Sequence, residues 1–238
     1  MNIYHITYAP ATKMVSLYFW GCNFSCRGCI RKEELQDVHL NYNCYIPTVR
    51  PRILDLRGVV DILRALEIEK VVFMGGEPTI DPVLPELAMM LHDELSAYNI
   101  LLTNGFLLPP LENVDEICLS IKAYTDALHK DFTGKSNEKV LENFVDLYQS
   151  GIRLRSESIL IPNYIDCEEI EKIARFIASV DPSIPYRIDG YVPSCKDRWR
   201  KPTSQEVEDC VKVTRKHLRN VSCLKGSESL RYEVVKIA

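Results

Sequence analysis

Three cysteines lie within eight residues of one another, at Cys22, Cys26 and Cys29. The chain has nine cysteines among its 238 residues, so a C-x3-C-x2-C spacing would arise by chance roughly 0.01 times in such a chain. Thiolates are soft ligands that suit iron–sulfur clusters, zinc or copper. The spacing therefore predicts one small metal centre, and it fits a disulfide framework poorly.

Two kinds of metal centre fit these cysteines. A structural zinc site would need a fourth ligand, for which His39 and Cys44 are the candidates. A [4Fe–4S] cluster held by three cysteines would leave one iron without a thiolate, which a cluster needs if it is to bind and reduce a ligand directly. Most of the other six cysteines are expected to be small buried hydrophobes. The best set for a second cluster would be Cys195, Cys210 and Cys223.

The composition describes an ordinary globular protein. Of the 238 residues, 46% are hydrophobic and 26% are charged, which predicts a single domain over residues 1–238. A formal net charge of -4 argues against nucleic acid as a partner. Apolar runs fall short of the roughly 18 residues that suggest a membrane span. The first residues show neither a basic n-region nor an apolar h-region, so we expect a cytoplasmic protein without membrane contact.

Short apolar runs alternate with helical stripes along most of the chain, which predicts about six β/α units. Each helix must return the chain along the same side, so the strands are expected to be parallel and covered by helices. The sheet would be either a barrel or doubly wound. The predicted strands are 14–20, 70–74, 99–102, 116–121, 152–161 and 186–191. The predicted helices are 55–68, 82–98, 136–150, 167–180 and a closing helix with a Thr cap over 203–218, followed by a short tail over 222–238.

A second motif, Gly-Gly-Glu-Pro at residues 75–78, follows the second predicted strand. Two glycines let backbone approach a ligand closely, and a carboxylate pairs with an ammonium group. By composition alone such a stretch would be a plain turn. Its place at a strand end, about 50 residues beyond the cysteines, favours a binding role, because functional groups of barrels lie where strands end.

The segment GCNFSCRGC at residues 21–29 resembles the signature of the radical S-adenosylmethionine superfamily, and MGGEPT at 74–79 resembles the GGE motif of that family. The resemblance implies a partial (β/α)6 TIM-like barrel, with parallel strands and outer helices, over about residues 13–193 and a C-terminal helix and tail over 194–238. It implies a [4Fe–4S] cluster on the three cysteines. It also implies S-adenosylmethionine as cofactor, with its methionyl amino group received by Glu77 and nearby backbone. The reduced cluster would split the cofactor to methionine and a 5'-deoxyadenosyl radical, which removes hydrogen from a substrate.

The middle of the chain is similar to the glycyl-radical-enzyme activating branch of that family. The resemblance lies in DEICLSIK at 115–122, HKDFTG at 129–134 and Ser-Asn at 136–137. Gly28 before the third cysteine resembles the activator of anaerobic ribonucleotide reductase, whereas pyruvate formate-lyase activators usually carry an aromatic residue there. The branch implies a glycine of a partner glycyl-radical enzyme as substrate, and a flavodoxin or ferredoxin as electron donor.

Three positions depart from the branch. Ser120 stands where the branch has Asp, Glu157 falls near an Arg, and Val192 stands where a His is expected. Matched positions place Ser120 and Lys122 at the ribose or carboxylate of the cofactor. The predicted cofactor-binding residues are Phe24, Gly28, Gly75, Gly76, Glu77, Thr103, Asn104, Ser120, Lys122 and Glu157.

Glu157 lies in an apolar-leaning run, where an unpaired buried carboxylate would be costly. It is therefore expected to pair with Arg153, Arg155 or Lys122, or to bind the ligand. Asp189 is read as either a residue near the adenine or part of an ordinary turn.

Two other functions remain open at this point. The radical could modify a small molecule or a peptide, and a zinc-binding interaction module is the alternative from a different class. The colour of the protein would separate these, since zinc sites are colourless and clusters are brown. The basic tract 196–201 is a candidate docking patch for a protein partner, or a solvated loop.

Overall fold

A computed structural model describes residues 1–37, 39–40, 52–193, 199–226, 228 and 232–238. Its sheet has the strand order β8-β7-β6-β5-β4-β3-β2-β1-β9 within those residues. The strands are β1 Ile3–Ala9, β2 Met14–Phe19, β3 Lys70–Gly75, β4 Tyr98–Thr103, β5 Glu116–Ser120, β6 Arg153–Leu160, β7 Tyr186–Gly190, β8 Val221–Leu224 and β9 Val235–Lys236. The helices are α1 Leu56–Arg64, α2 Leu84–Leu95, α3 Asp126–Thr133, α4 Glu138–Gln149, α5 Cys167–Val180 and α6 Ser204–Thr214.

Strands β2 to β7 are parallel and adjacent in chain order. They correspond to the six predicted strands, so the predicted α/β fold with parallel strands is confirmed. A doubly wound sheet reverses its strand order at a switch point, whereas strands that follow one another in sequence are the arrangement of a barrel. The sequence left open a barrel or a doubly wound sheet. The strand order favours the partial barrel.

The sequence pattern missed elements at both edges of the sheet. Strand β1 pairs antiparallel with β2, and β9 pairs antiparallel with β1. The region predicted as a tail, 222–238, contributes β9 and most of β8. Strands β8 and β9 have four and two residues, too few to show a period-2 pattern. Strand β1 has seven residues, six of them buried, but these include the polar His5 and Thr7. Helix α3 was also missed, because its eight residues are too few for a clear helical pattern.

Helix ends follow ordinary capping chemistry. The side chain of Thr203 accepts a hydrogen bond from the backbone N–H of Glu206, and the two residues form a capping box at the start of α6. The predicted Thr cap is thus confirmed, although α6 ends at Thr214 rather than at residue 218. Asp166 caps α5 by accepting from the N–H groups of Glu168 and Glu169. None of the described helices is both long and apolar enough to cross a membrane.

The two faces of β5 to β7 differ in polarity. Ile117, Leu119 and Ile188 belong to the hydrophobic core. Because side chains alternate across a strand, their neighbours point to the opposite face, which is the interior of the partial barrel. That face carries Cys118, Ser120, Arg155, Glu157, Arg187 and Asp189. The strands therefore place charged groups inside the barrel, below the ends of β5 to β7.

Candidate functional site

A cavity of about 350 Å³ opens at the carboxyl ends of the parallel strands. It is bounded by the ends of β3, β4, β5 and β7 and by the loop over residues 21–29, called the cysteine loop from here on. All thirteen residues that the sequence singled out as ligands or cofactor contacts line this cavity. They are Cys22, Cys26, Cys29, Phe24, Gly28, Gly75, Gly76, Glu77, Thr103, Asn104, Ser120, Lys122 and Glu157.

The thiols of Cys22, Cys26 and Cys29 are free and border this cavity, and they also border a neighbouring cavity of about 540 Å³. No three Cys, His, Asp or Glu side chains in the described part of the chain lie close enough together to hold a single metal ion. All three thiols border the same two cavities, and thiolates of this kind are the protein ligands of iron–sulfur clusters. Burial raises the pKa of Cys26 to about 11, and the nearby charge of Lys122 opposes that rise.

Cys22 receives hydrogen bonds from two directions. The backbone N–H of Phe24 lies 3.3 Å from its sulfur, and Nδ2 of Asn104 lies 3.7 Å from it. The same Nδ2 donates to Oδ1 of Asn23 at 2.7 Å. Hydrogen bonds to sulfur ligands tune the reduction potential of an iron–sulfur centre. Asn104 therefore connects the end of β4 to a predicted cluster ligand.

The two glycines at the end of β3 let two strand ends meet. The backbone N–H of Gly76 donates to the carbonyl of Phe19, and that of Glu77 donates to the carbonyl of Gly21, both at 2.8 Å. A Cβ on Gly76 would lie 2.0 Å from the oxygen of Gly21, and Gly75 has a φ of +109°. Any larger residue would push the cysteine loop away from β3. The glycines thus fix the cysteine loop beside the cavity.

Glu77 is buried, at 2% exposure, and its carboxylate ties two strand ends together. Its Oε1 accepts from the N–H and the hydroxyl of Thr79 and from the hydroxyl of Thr103 at 2.7 Å. Its Oε2 accepts from the N–H of Asn104 at 2.7 Å. Burial raises the pKa of Glu77, and these hydrogen bonds oppose the rise. A carboxylate offers about four lone-pair sites, so Oε2 can still accept from a ligand.

Glu157 forms an ion pair that crosses to the next strand. Its Oε2 lies 2.6 Å from Arg187 on β7, and its Oε1 accepts from the hydroxyl of Ser120 at 2.7 Å. Burial raises the pKa of Glu157, but the charges of Arg187 and Lys122 outweigh it and hold the pKa below its usual range. The expectation that Arg153 or Arg155 pairs with Glu157 was wrong. Both arginines pair with Glu116, at the other end of the strands.

Arg187 also contacts Asp189, with 2.8 Å between its Nε and Oδ1 of that carboxylate. Asp189 lies on β7, not in a turn. Burial raises its pKa to about 6, even though the charge of Arg187 opposes the rise. Neither Arg187 nor its pairing with Glu157 was predicted. The available signal was the alternation of charged residues along the strands at 153–157 and 187–189.

Lys122 extends past the end of β5 into the cavity. Within the described residues its ammonium makes no ion pair or hydrogen bond. Its charge nonetheless opposes the rise in the pKa of Cys26 and helps to hold the pKa of Glu157 down, and both residues line the cavity. It is therefore a cation available to an anionic group of a ligand.

Aromatic residues that the sequence analysis did not place in the site pack against the cysteine loop. A Cβ on Gly28 would lie 2.6 Å from the hydroxyl oxygen of Tyr191 and 3.1 Å from the ring of Trp199. Trp199 in turn stacks on Tyr164, with 4.6 Å between ring centroids. Gly28 is thus enclosed by side chains from distant parts of the chain, and an aromatic residue at position 28 would not fit.

The remaining motifs are placed only in part. Cys44, Cys195 and residues 196–198 of the basic tract lie outside the described residues. Cys210 is buried on α6 and Cys223 lies on β8. The described residues of the basic tract contact the protein itself: Trp199 packs as above, Arg200 pairs with Glu206, and Lys201 donates to the carbonyl of Gly226.

Comparison with known proteins identifies the family of this chain. The sequence profile of the radical SAM superfamily matches residues 18–177. A protein of Methanocaldococcus jannaschii, named as a candidate glycyl-radical enzyme activating enzyme, is 33% identical over 226 residues, which are 92% of this chain and 83% of that protein. The S-adenosylmethionine-dependent nucleotide dehydratase of Flammeovirga pacifica is 26% identical over 160 residues, covering 61% of this chain and 53% of that enzyme.

Solved structures share the fold. SuiB of Streptococcus suis with S-adenosylmethionine bound superposes with a TM-score of 0.66 at 16% identity, over 85% of this chain and 48% of SuiB. This chain thus spans about half the length of SuiB. A domain of the pyruvate-formate lyase-activating enzyme of Bacteroides vulgatus superposes with a TM-score of 0.55 at 20% identity, over 65% of this chain and 98% of that domain.

The chain belongs to the radical SAM superfamily. It is a radical SAM enzyme, and it is close in sequence to a protein named for the activation of glycyl-radical enzymes.

Proposed function

We propose that this protein cleaves S-adenosylmethionine reductively and uses the radical to remove a hydrogen atom from a glycine of a partner polypeptide. Cys22, Cys26 and Cys29 would hold the [4Fe–4S] cluster. When bound, the cluster supplies one electron to the sulfonium, which yields methionine and a 5'-deoxyadenosyl radical. Transfer of one hydrogen atom from the glycine Cα then gives 5'-deoxyadenosine and a glycyl radical. An external flavodoxin or ferredoxin would provide the electron.

The polar residues of the cavity can bind the parts of this cofactor. The free lone pair on Oε2 of Glu77 can accept from the methionyl ammonium, and the ammonium of Lys122 can pair with the carboxylate. Glu157 is an ionised carboxylate that only accepts hydrogen bonds, so it suits the ribose hydroxyls. Ser120 and Arg187 hold it in place. In this proposal, the carboxylate lost from position 120 relative to the activating branch is supplied from the next strand.

The similarity to a protein named as a candidate glycyl-radical enzyme activating enzyme is the observation that favours a polypeptide substrate. With the cofactor in the cavity of about 350 Å³, a substrate would reach it across the rim or through the neighbouring cavity of about 540 Å³. A glycine presented on a loop needs to insert only its Cα. Val192 lines the cavity and is 45% exposed, so it offers such a loop an apolar contact at the cavity edge.

The test uses short peptides with a central glycine that carries deuterium on Cα, and the same peptides with alanine as controls. The reconstituted enzyme is incubated with S-adenosylmethionine and a reductant, and the mass of 5'-deoxyadenosine is measured. The proposal predicts deuterium in 5'-deoxyadenosine from the glycine peptides. Unlabelled 5'-deoxyadenosine with every peptide, together with stimulation by a small molecule, would contradict it and favour a small-molecule substrate.

A further inference from the structure

Residues 129–134, a motif of the sequence, mostly contact the cysteine loop, and of them only Phe132 lines the cofactor cavity. His129 is fully buried, and its ring lies 5.5 Å from that of Phe24. Asp131 forms an ion pair with Arg27 at 2.8 Å. Cofactor binding as described above uses neither contact. These contacts indicate that the motif helps to hold the cysteine loop.

The last turn of α3 accepts the backbone of the cysteine loop. The final carbonyl groups of a helix have no partner within the helix. In this protein the carbonyl of Thr133 accepts from the N–H of Ser25, and the carbonyl of Phe132 accepts from the N–H of Arg27, both at 2.9 Å. These donors flank Cys26 on either side. The helix end thus holds the middle of the cysteine loop by its main chain.

Gly134 allows this close approach. It caps α3 with a φ of +81°, and a Cβ there would lie 2.6 Å from Oγ of Ser25 but 3.9 Å from Cβ of Ser25. Contacts under 3.0 Å force atoms apart, whereas 3.9 Å is ordinary contact. The hydroxyl of Ser25 is the group in the way, and it donates to the carbonyl of Thr133 at 3.2 Å. A side chain at position 134 would therefore either break this hydrogen bond by turning the hydroxyl away or push the cysteine loop away from α3.

We propose that Gly134 is a positioning residue of this enzyme. By letting the last turn of α3 dock on Ser25, it sets the position of the cysteine loop in the wall of the cofactor cavity. A misplacement of about 1 Å can lower a reaction rate on the order of 100-fold. The proposal rests on the cysteine loop being the cluster site, which formation of 5'-deoxyadenosine by the unmodified protein tests separately.

The experiment compares Gly134→Ala with the double variant Ser25→Ala/Gly134→Ala. The double variant keeps the strained φ but removes the atom that clashes. Gly151→Ala is the matched control, because Gly151 has a φ of +80° and its Cβ would meet nothing within 4 Å. Ser25→Ala alone provides the baseline for the double variant.

Two measurements are made. Hydrogen–deuterium exchange of residues 22–29 is followed in the protein without a cluster. After reconstitution, iron content, the electron paramagnetic resonance change on adding S-adenosylmethionine and the rate of 5'-deoxyadenosine formation are measured.

Gly134→Ala is expected to speed exchange in the cysteine loop, to weaken the spectral change and to lower the rate on the order of 100-fold. The double variant should recover most of each loss, and Gly151→Ala should show none. A Gly134→Ala protein that matches Gly151→Ala would overturn the proposal. So would a double variant as impaired as Gly134→Ala, including the case in which neither of them folds.

Discussion

The carboxylate of Glu77 accepts a hydrogen bond of 2.7 Å from the backbone N–H of Asn104. This contact joins the GGE turn after β3 to the end of β4. Asn104 in turn donates toward the sulfur of Cys22. The motif predicted to bind the cofactor and the motif predicted to bind the cluster are thus connected through one residue, Asn104, by its main chain on one side and its side chain on the other. Changes at Glu77 are expected to affect both.

Glu77→Gln tests this connection. Glutamine offers one acceptor oxygen, so at least one of the buried donors around position 77 would face an NH2 group. An unsatisfied buried donor costs about 1–3 kcal/mol, and we expect a loss of this size in the free energy of unfolding. Weaker binding of S-adenosylmethionine should accompany it. Asp166→Asn is the control, because Asp166 also accepts from two backbone N–H groups but caps α5 outside the cavity. Equal effects of the two substitutions on cofactor binding would contradict the assignment.

Two ion pairs inside the barrel form a matched comparison. Glu157 and Glu116 are 16% and 13% exposed, and each lies 2.6 Å from an arginine. Only Glu157 lines the cavity. A hydrogen bond to a charged group contributes about 1.5–3 kcal/mol, so Glu157→Gln should weaken S-adenosylmethionine binding about tenfold or more.

Glu116→Gln should lower the free energy of unfolding by about 1.5–3 kcal/mol. It should leave the affinity for S-adenosylmethionine unchanged. Titration of both variants with S-adenosylmethionine, beside thermal unfolding, makes the comparison. A cofactor affinity that falls equally in both variants would show that Glu157 acts only through stability.

Asp189 predicts a pH dependence of stability. Its folded pKa of about 6 lies above its ordinary value of 3.8, so the folded state binds the proton more tightly than the unfolded state. Asp189 therefore costs no stability at pH values below 3.8 and its full penalty above pH 6, on the order of 1–3 kcal/mol.

Asp189→Asn should remove this penalty. The difference in unfolding free energy between variant and wild type should then grow in favour of the variant between pH 4.5 and pH 7. Chemical denaturation at several pH values measures this difference. A difference that is constant with pH, or that shrinks as the pH rises, would contradict the raised pKa.

The parts of this site that the sequence predicted are those written in contiguous residues. The cysteine spacing and Gly-Gly-Glu-Pro carry their chemistry locally, and parallel strands bring their carboxyl ends to one edge. The pairing of Glu157 with Arg187 needed the register between β6 and β7, in which these two residues are direct neighbours. The contact of Trp199 with Gly28 joins positions that no periodicity relates.

Production of 5'-deoxyadenosine tests the central claim most directly. The protein is reconstituted anaerobically with iron and sulfide, reduced with dithionite and supplied with S-adenosylmethionine. Wild type is compared with Cys26→Ala and with Cys167→Ala, in which a half-buried cysteine at the start of α5 is removed. The account predicts a brown protein that forms 5'-deoxyadenosine in wild type and Cys167→Ala but not in Cys26→Ala. A colourless protein that forms none in any variant, or equal formation in all three, would contradict it.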